Sequence, residues 1–117
     1  MTTFFRTAFR WQRGRQNSGY DKMLLLQSWW PLPFDLYLLR YPEGSEVPPH
    51  RDTVSFGRHY RLNVILWRAQ SGGDFACAHP IVASRRLNLF RPDIHEHSVS
   101  RVLRGTRYVL SLGWIRQ

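Results

Sequence analysis

The chain has 117 residues, a formal charge of +9 and one cysteine, and sixteen of its seventeen basic residues are arginine. This length suits one domain spanning 1–117 with a core of its own, and Cys77 has no intrachain partner with which to build a disulfide framework. Apolar runs such as Met23–Leu26 fall far short of the roughly 20 residues of a membrane span, and Met1–Arg6 lacks a secretory signal pattern, so the expectation is a soluble, cytoplasmic protein.

In chain order, Phe4–Trp11 is ambiguous and Tyr20–Gln27 reads as a strand. Trp29 and Trp30, beside Pro31 and Pro33, pack over a sheet or form a lid. Phe34–Tyr41 is an aromatic-rich strand stopped by Pro42-Glu43-Gly44-Ser45. Arg61–Trp67 is another, ended by Ser71-Gly72-Gly73. Asp74–Ala78 and Leu87–Phe90 are shorter strands, and His97–Leu103 with Thr106–Ile115 reads as a hairpin around Arg104-Gly105. No stretch carries a sustained helical period and no repeat is visible, which predicts an all-β sandwich or barrel.

The chemistry starts at His50-Arg51-Asp52. On extended chain, residues i and i+2 share a face, so an imidazole and a carboxylate converge there. His97 and His95, about 45 residues further on, each offer a third ligand. Two histidines and one carboxylate on one side of a metal form the facial triad suited to non-haem Fe(II). His59 and His79 read as surface or structural residues, and Cys77 as packing.

Between Phe34 and Trp114 the chain resembles the Fe(II)/2-oxoglutarate-dependent dioxygenase superfamily, closest to its prolyl-4-hydroxylase-like branch. The matching series is Tyr41-x-x-Gly44, His50-x-Asp52, Arg61-x-Asn63-x-Ile65-Leu66, Gly72-Gly73-Asp74-Phe75, Leu89-Phe90, His97-x-Val99, Gly105-x-Arg107 and Trp114. The resemblance implies a double-stranded β-helix, or jelly roll, with core 34–115 and few flanking helices. It also implies a metal held by His50, Asp52 and His97, with His97 preferred over His95 because Val99 follows it and Arg107 lies ten residues beyond. Arg107 would pair with the far carboxylate of 2-oxoglutarate in a bidentate fork. Tyr41 would add a hydroxyl to that carboxylate, and Asn63 would reach the cosubstrate from a neighbouring strand. The implied reaction consumes O₂, with ascorbate as reductant, releases succinate and CO₂, and hydroxylates a peptidyl side chain, a small metabolite or a nucleobase.

Facing Arg107 toward His97 requires a three-residue turn or bulge at Leu103–Gly105 that pairs Arg101 with Arg107. Some relatives carry serine two residues after the arginine; here Val109 stands there and Ser111 follows. The helices that brace the large sheet in relatives are largely missing, leaving a sheet face for a partner or a second copy to cover, hence a dimer. Two other readings stand beside the enzyme. One is a jelly-roll binding module without turnover. The other is a basic nucleic-acid-binding protein, although the arginines are dispersed, with no run longer than Arg85-Arg86.

Overall fold

The computed structural model describes residues 9–14, 18–28 and 32–117, together with the backbone of Phe5–Arg6. Among these residues every regular element is a strand. The first six are β1 (Phe5–Arg6), β2 (Trp11–Arg13), β3 (Asp21–Ser28), β4 (Phe34–Tyr41), β5 (Val47–His50) and β6 (Arg58–Trp67). Four short ones follow: β7 (Ser71–Gly72), β8 (Phe75–Cys77), β9 (Val82–Ala83) and β10 (Leu87–Phe90). The last three are β11 (His97–Val99), β12 (Val102–Arg104) and β13 (Arg107–Arg116). An eight-stranded antiparallel sheet runs β1-β3-β4-β13-β6-β10-β9, with β2 also on β3. A three-stranded sheet, β5-β11-β8, and a two-stranded one, β12-β7, complete the jelly roll.

The strand alternation sets which residues meet. Along β13 the odd positions Arg107, Val109, Ser111 and Gly113 are buried while the even ones are half-buried, so the odd side chains face inward. Register then puts Tyr41, Leu39, Tyr37 and Asp35 of β4 on that inner face, with Ile65, Asn63 and Arg61 of β6. The apolar core sits where the sheets meet and contains Tyr41, Val47, Val99, Val102 and Val109.

Most of the expected strands form where the pattern places them; β4 and β10 have the expected limits, and β6 begins three residues earlier at Arg58. Trp29 and Trp30 lie outside the described residues, as does much of Phe4–Trp11. The C-terminal hairpin does not form. The expected strand 97–103 breaks after Val99, because Ser100 N–H donates to the Asp74 carbonyl and Gly73 N–H to the Arg101 carbonyl. β12 then crosses to pair with β7 where Gly72, at φ +75°, leaves no room for a Cβ beside the Arg101 carbonyl. β12 and β13 therefore belong to different sheets. Gly105, at φ +83°, is the corner between them, and Arg107 pairs with Tyr41 rather than Arg101. No helix among the described residues is long and apolar enough to cross a membrane.

Candidate metal centre

His50 and His97 are direct register partners across the β5–β11 ladder, so both side chains leave the small sheet on one face. Asp52 lies two residues beyond β5, where its backbone N–H is anchored to the Pro92 carbonyl at 2.7 Å. One oxygen of its carboxylate is 3.4 Å from His50 Nε2 and the other 3.3 Å from His97 Nε2. One ligand atom from each of the three residues lies within 4.8 Å of the others. Each imidazole turns its other nitrogen to a backbone carbonyl: His50 Nδ1 donates to Pro48 at 2.8 Å and His97 Nδ1 to His95 at 3.1 Å. Those bonds fix the Nδ1–H tautomer and leave both Nε2 lone pairs aimed at Asp52, the outer support expected of metal-binding histidines. The donor set of two imidazoles and one carboxylate fits a divalent first-row metal. The side chains of His50 and His97 are 14% and 9% exposed, against 40% for Asp52, so access is from the aspartate side.

His95 does not join this group. Its ring lies tilted, 5.0 Å from the ring of exposed His79, and what it contributes is its carbonyl, which orients His97. Cys77 is the partner of His97 on β8, half-buried and unpaired by disulfide.

One cavity of about 380 Å³ runs from this triad to Arg107, which is 3% exposed. The Arg107 guanidinium lies 4.9 Å over the Tyr41 ring, its partner across the β13–β4 ladder. Burial lowers the Arg107 pKa, and Tyr41 partly offsets this. Burial also pushes the Tyr41 hydroxyl up to about 12, against the lowering effect of Arg107, so it stays protonated. Arg107 Nη2 and Asn63 Oδ1 are buried with no hydrogen-bond partner in the protein. A buried guanidinium with a donor unspent costs about 1–3 kcal/mol or more, which a bound anion offsets. Between the two polar poles the walls are aliphatic and aromatic: Leu39, Val47, Val99, Phe75 and Phe90.

A third group at the same cavity has no counterpart among the expected site residues. Arg61 Nη2 donates to both Asp35 oxygens at 2.9 and 3.2 Å, and Nη1 donates to Ser111 Oγ at 2.8 Å. It reaches them by lying flat on Gly113, where an added Cβ would stand 2.1 Å from Nη2. His59 Nε2 is 3.3 Å from the same Nη2 and can only accept, so His59 is neutral. Of the two expected roles, surface or structural, His59 takes the structural one, as part of the cavity wall. The signal lay in the period of two, since His59, Arg61 and Asn63 fall on one face of β6.

No protein-family model matches the chain. No curated protein matches it by sequence. Among solved structures it is similar to the cupin domain of Cnp3 from Schizosaccharomyces pombe, at TM-score 0.63 and 13% identity over 92% of this chain and 69% of that one. It is also similar to KdgF from a Halomonas species, at TM-score 0.57 and 16% identity over 92% and 89% of the two chains. A third similar structure is an RmlC-like cupin from Shewanella frigidimarina, at TM-score 0.55 and 10% identity over 99% and 94%. The fold is thus a cupin-like jelly roll, and it carries a His-Asp-His triad able to bind a metal.

Proposed function

We propose that this chain is an Fe(II)- and 2-oxoglutarate-dependent dioxygenase that hydroxylates a peptidyl side chain, a small metabolite or a nucleobase. The observation that carries the reading is Arg107, buried and incompletely paired in the same cavity as the triad. The polar–apolar–polar sequence of that cavity suits a short dicarboxylate, whose two methylenes would lie against Leu39, Val47 and Val99.

His50, Asp52 and His97 would hold Fe(II), which when bound supplies the O₂-activating chemistry that couples decarboxylation of 2-oxoglutarate to hydroxylation. Arg107 would fix the far carboxylate through its fork, and Tyr41, held protonated, would donate a hydrogen bond to it. Val99 and Phe90 line the passage between the two poles, where a bound cosubstrate would displace water and so strengthen the charge interactions inside. Asn63 faces the passage with a free carbonyl oxygen and would position the cosubstrate or a bound water.

The test is a titration of 2-oxoglutarate into Mn(II)- or Zn(II)-loaded protein without oxygen. Arg107→Ala should bind it roughly ten- to hundredfold more weakly, with lysine rescuing only partly because a point charge lacks the fork. Unchanged affinity in Arg107→Ala would overturn the assignment. Turnover is then sought with Fe(II), ascorbate and a substrate panel, reading succinate.

A second reading, a metal-binding cupin module without 2-oxoglutarate turnover, is favoured by the similar structures, two of which are described as cupins. Absence of 2-oxoglutarate binding alongside tight metal binding would select it. Nucleic acid is the weaker partner, since Arg40, Arg61, Arg91 and Arg101 are each spent on an acidic side chain.

A further inference from the structure

A second cavity, also of about 380 Å³, meets the first at Arg107 and Phe75, which line both. One wall is the segment that follows β6, and the other is the turn that leads into β10. Hydrogen bonds fix that turn: Ile65 N–H donates to the Arg86 carbonyl at 2.7 Å, and Ser84 N–H to the Leu87 carbonyl at 2.9 Å. Gly73, at φ +69°, brings the first wall against Arg107, because an added Cβ would stand 3.5 Å from Arg107 Cδ and 2.9 Å from Val102. The charged groups around the space are Arg68, Arg85 and Arg107 against Asp74. Arg68 reaches from one wall to the other, where its Nη2 donates to the Arg85 carbonyl. Whereas Arg40, Arg61, Arg91 and Arg101 are salt-bridged, neither Arg68 nor Arg85 is paired with an acidic side chain among the described residues. Arg107 is 3% exposed and keeps Nη2 unspent. Beyond burial, the charge of Arg68 lowers the Arg107 pKa, with Tyr41 and Asp74 acting the other way. Three guanidiniums held around one space repel one another until an anion lies among them.

We propose that this second cavity binds the phosphate monoester group of a small polar metabolite. Charge selects the class. Three arginines against one aspartate leave the cavity two positive charges in excess, which a monoester balances with its own charge of about −1.5 to −2 at neutral pH. Geometry selects phosphate over carboxylate. Besides the guanidiniums, the Gln70 and Asn88 amides and the Ser84 hydroxyl line the same space, Asn88 being buried. Those donors outnumber what the two oxygens of a carboxylate accept, and a phosphate monoester presents three. The volume falls within the roughly 300–1,000 Å³ of small-molecule sites, which leaves room for a carrier beside the phosphate. Apolar side chains in the lining are confined to Ile65, Ala69 and Phe75, which favours a polar carrier over an acyl chain.

Titration calorimetry of glycerol 3-phosphate into the full chain tests this, with EDTA present, at low ionic strength and at about pH 8, above the second phosphate pKa of about 6. Wild type should take up one equivalent. Arg68→Ala and Arg85→Ala should each bind about tenfold more weakly, and Arg68→Lys should recover part of the loss because it keeps the charge without the fork. Both arginines are exposed, so the variants should keep the fold, checked by circular dichroism. Dimethyl phosphate, with a single negative charge, should bind several-fold more weakly than the monoester. Unchanged binding in both alanine variants overturns the proposal, since the anion then lies in the first cavity or on scattered surface arginines. Absence of binding up to about 10 mM, beyond a millimolar Kd, also overturns it. Equal binding of dimethyl phosphate overturns it in favour of a phosphodiester such as a nucleic-acid backbone. Neither metal nor 2-oxoglutarate enters the titration, and Arg68 and Arg85 line the second cavity and not the first, so the outcome is separate from the dioxygenase reading.

Discussion

The two faces of the large sheet are made by alternate residues of the same strands, one position apart, and they differ in almost every property. On β13 the inward set is Arg107, Val109, Ser111 and Gly113; the outward set is Tyr108, Leu110, Leu112 and Trp114. The inward set changes character every step, from cation to methyl to hydroxyl to bare backbone, and each change meets a matching change on β4 and β6. The outward set is uniform. A uniform face asks only for apolar area and tolerates substitution within its class. A face graded along the strand specifies where each end of a ligand lies. Inner-face changes should therefore alter ligand or metal affinity, whereas outer-face swaps within the apolar class should leave it unchanged.

The largest break expected on the inner side is the triad itself. His97→Ala should weaken Mn(II) or Co(II) binding by more than about a hundredfold, since losing even an outer support typically costs 10–100-fold. His95→Ala keeps the carbonyl that orients His97 and should stay within a few-fold of wild type. Metal titration calorimetry decides between them; equal losses in both would mean that the geometry at Asp52 does not select the ligand.

Gly113 sharpens the comparison because it joins chemistry to packing. In Gly113→Ala the new methyl occupies the place of the Arg61 guanidinium and displaces it from Asp35 and Ser111. Overpacking of this kind costs about 1–3 kcal/mol, to be read by urea denaturation of the metal-free protein. Metal affinity should change little, because the Arg61 guanidinium is spent on Asp35 and Ser111 and not on the histidines of the triad. An unchanged denaturation midpoint would show that Arg61 finds an equal position elsewhere.

How much of this was legible before the fold was known follows from which interactions are local. The strands around β4, β10 and β13 show in period-two runs with breakers at their ends, and His50-x-Asp52 needs only extended chain to converge. The meeting of His97 with His50 is a pairing across 47 residues, reached through the family resemblance and not from local pattern. The hairpin at Arg104-Gly105 fails because two adjacent strands with a glycine between them look alike whether the corner joins partners or sends them to different sheets. Arg107 nevertheless faces the triad, since that depends on its own strand's alternation and on β4, not on Arg101. The Arg61 cluster stayed hidden for a different reason. Its key member is a glycine, whose meaning here is the side chain lying over it.

The smallest expected effect is a pH dependence confined to the inner face, carried by His59. Burial lowers its pKa from the ordinary 6.5, and the Arg61 guanidinium lowers it further, while Asp35, Asp52 and Asp93 act the other way without prevailing. In the unfolded chain the same imidazole takes up a proton near its ordinary value. The unfolded state therefore binds more protons as pH falls, so His59 contributes stability that is fully present above about 6.5 and lost as pH drops through the lower folded value. Asp93 adds a loss at more acid pH: burial alone would raise it, but hydrogen bonds from Arg91 and from the His59 backbone N–H outweigh that and hold it down. His59→Gln keeps an acceptor for Arg61 and removes the titration. Melting temperature against pH in the presence of EDTA should fall less steeply for His59→Gln than for wild type between about 6.5 and 5. Superimposable slopes would mean that Arg61 moves off as His59 charges, making this part of the inner face as tolerant as the outer one.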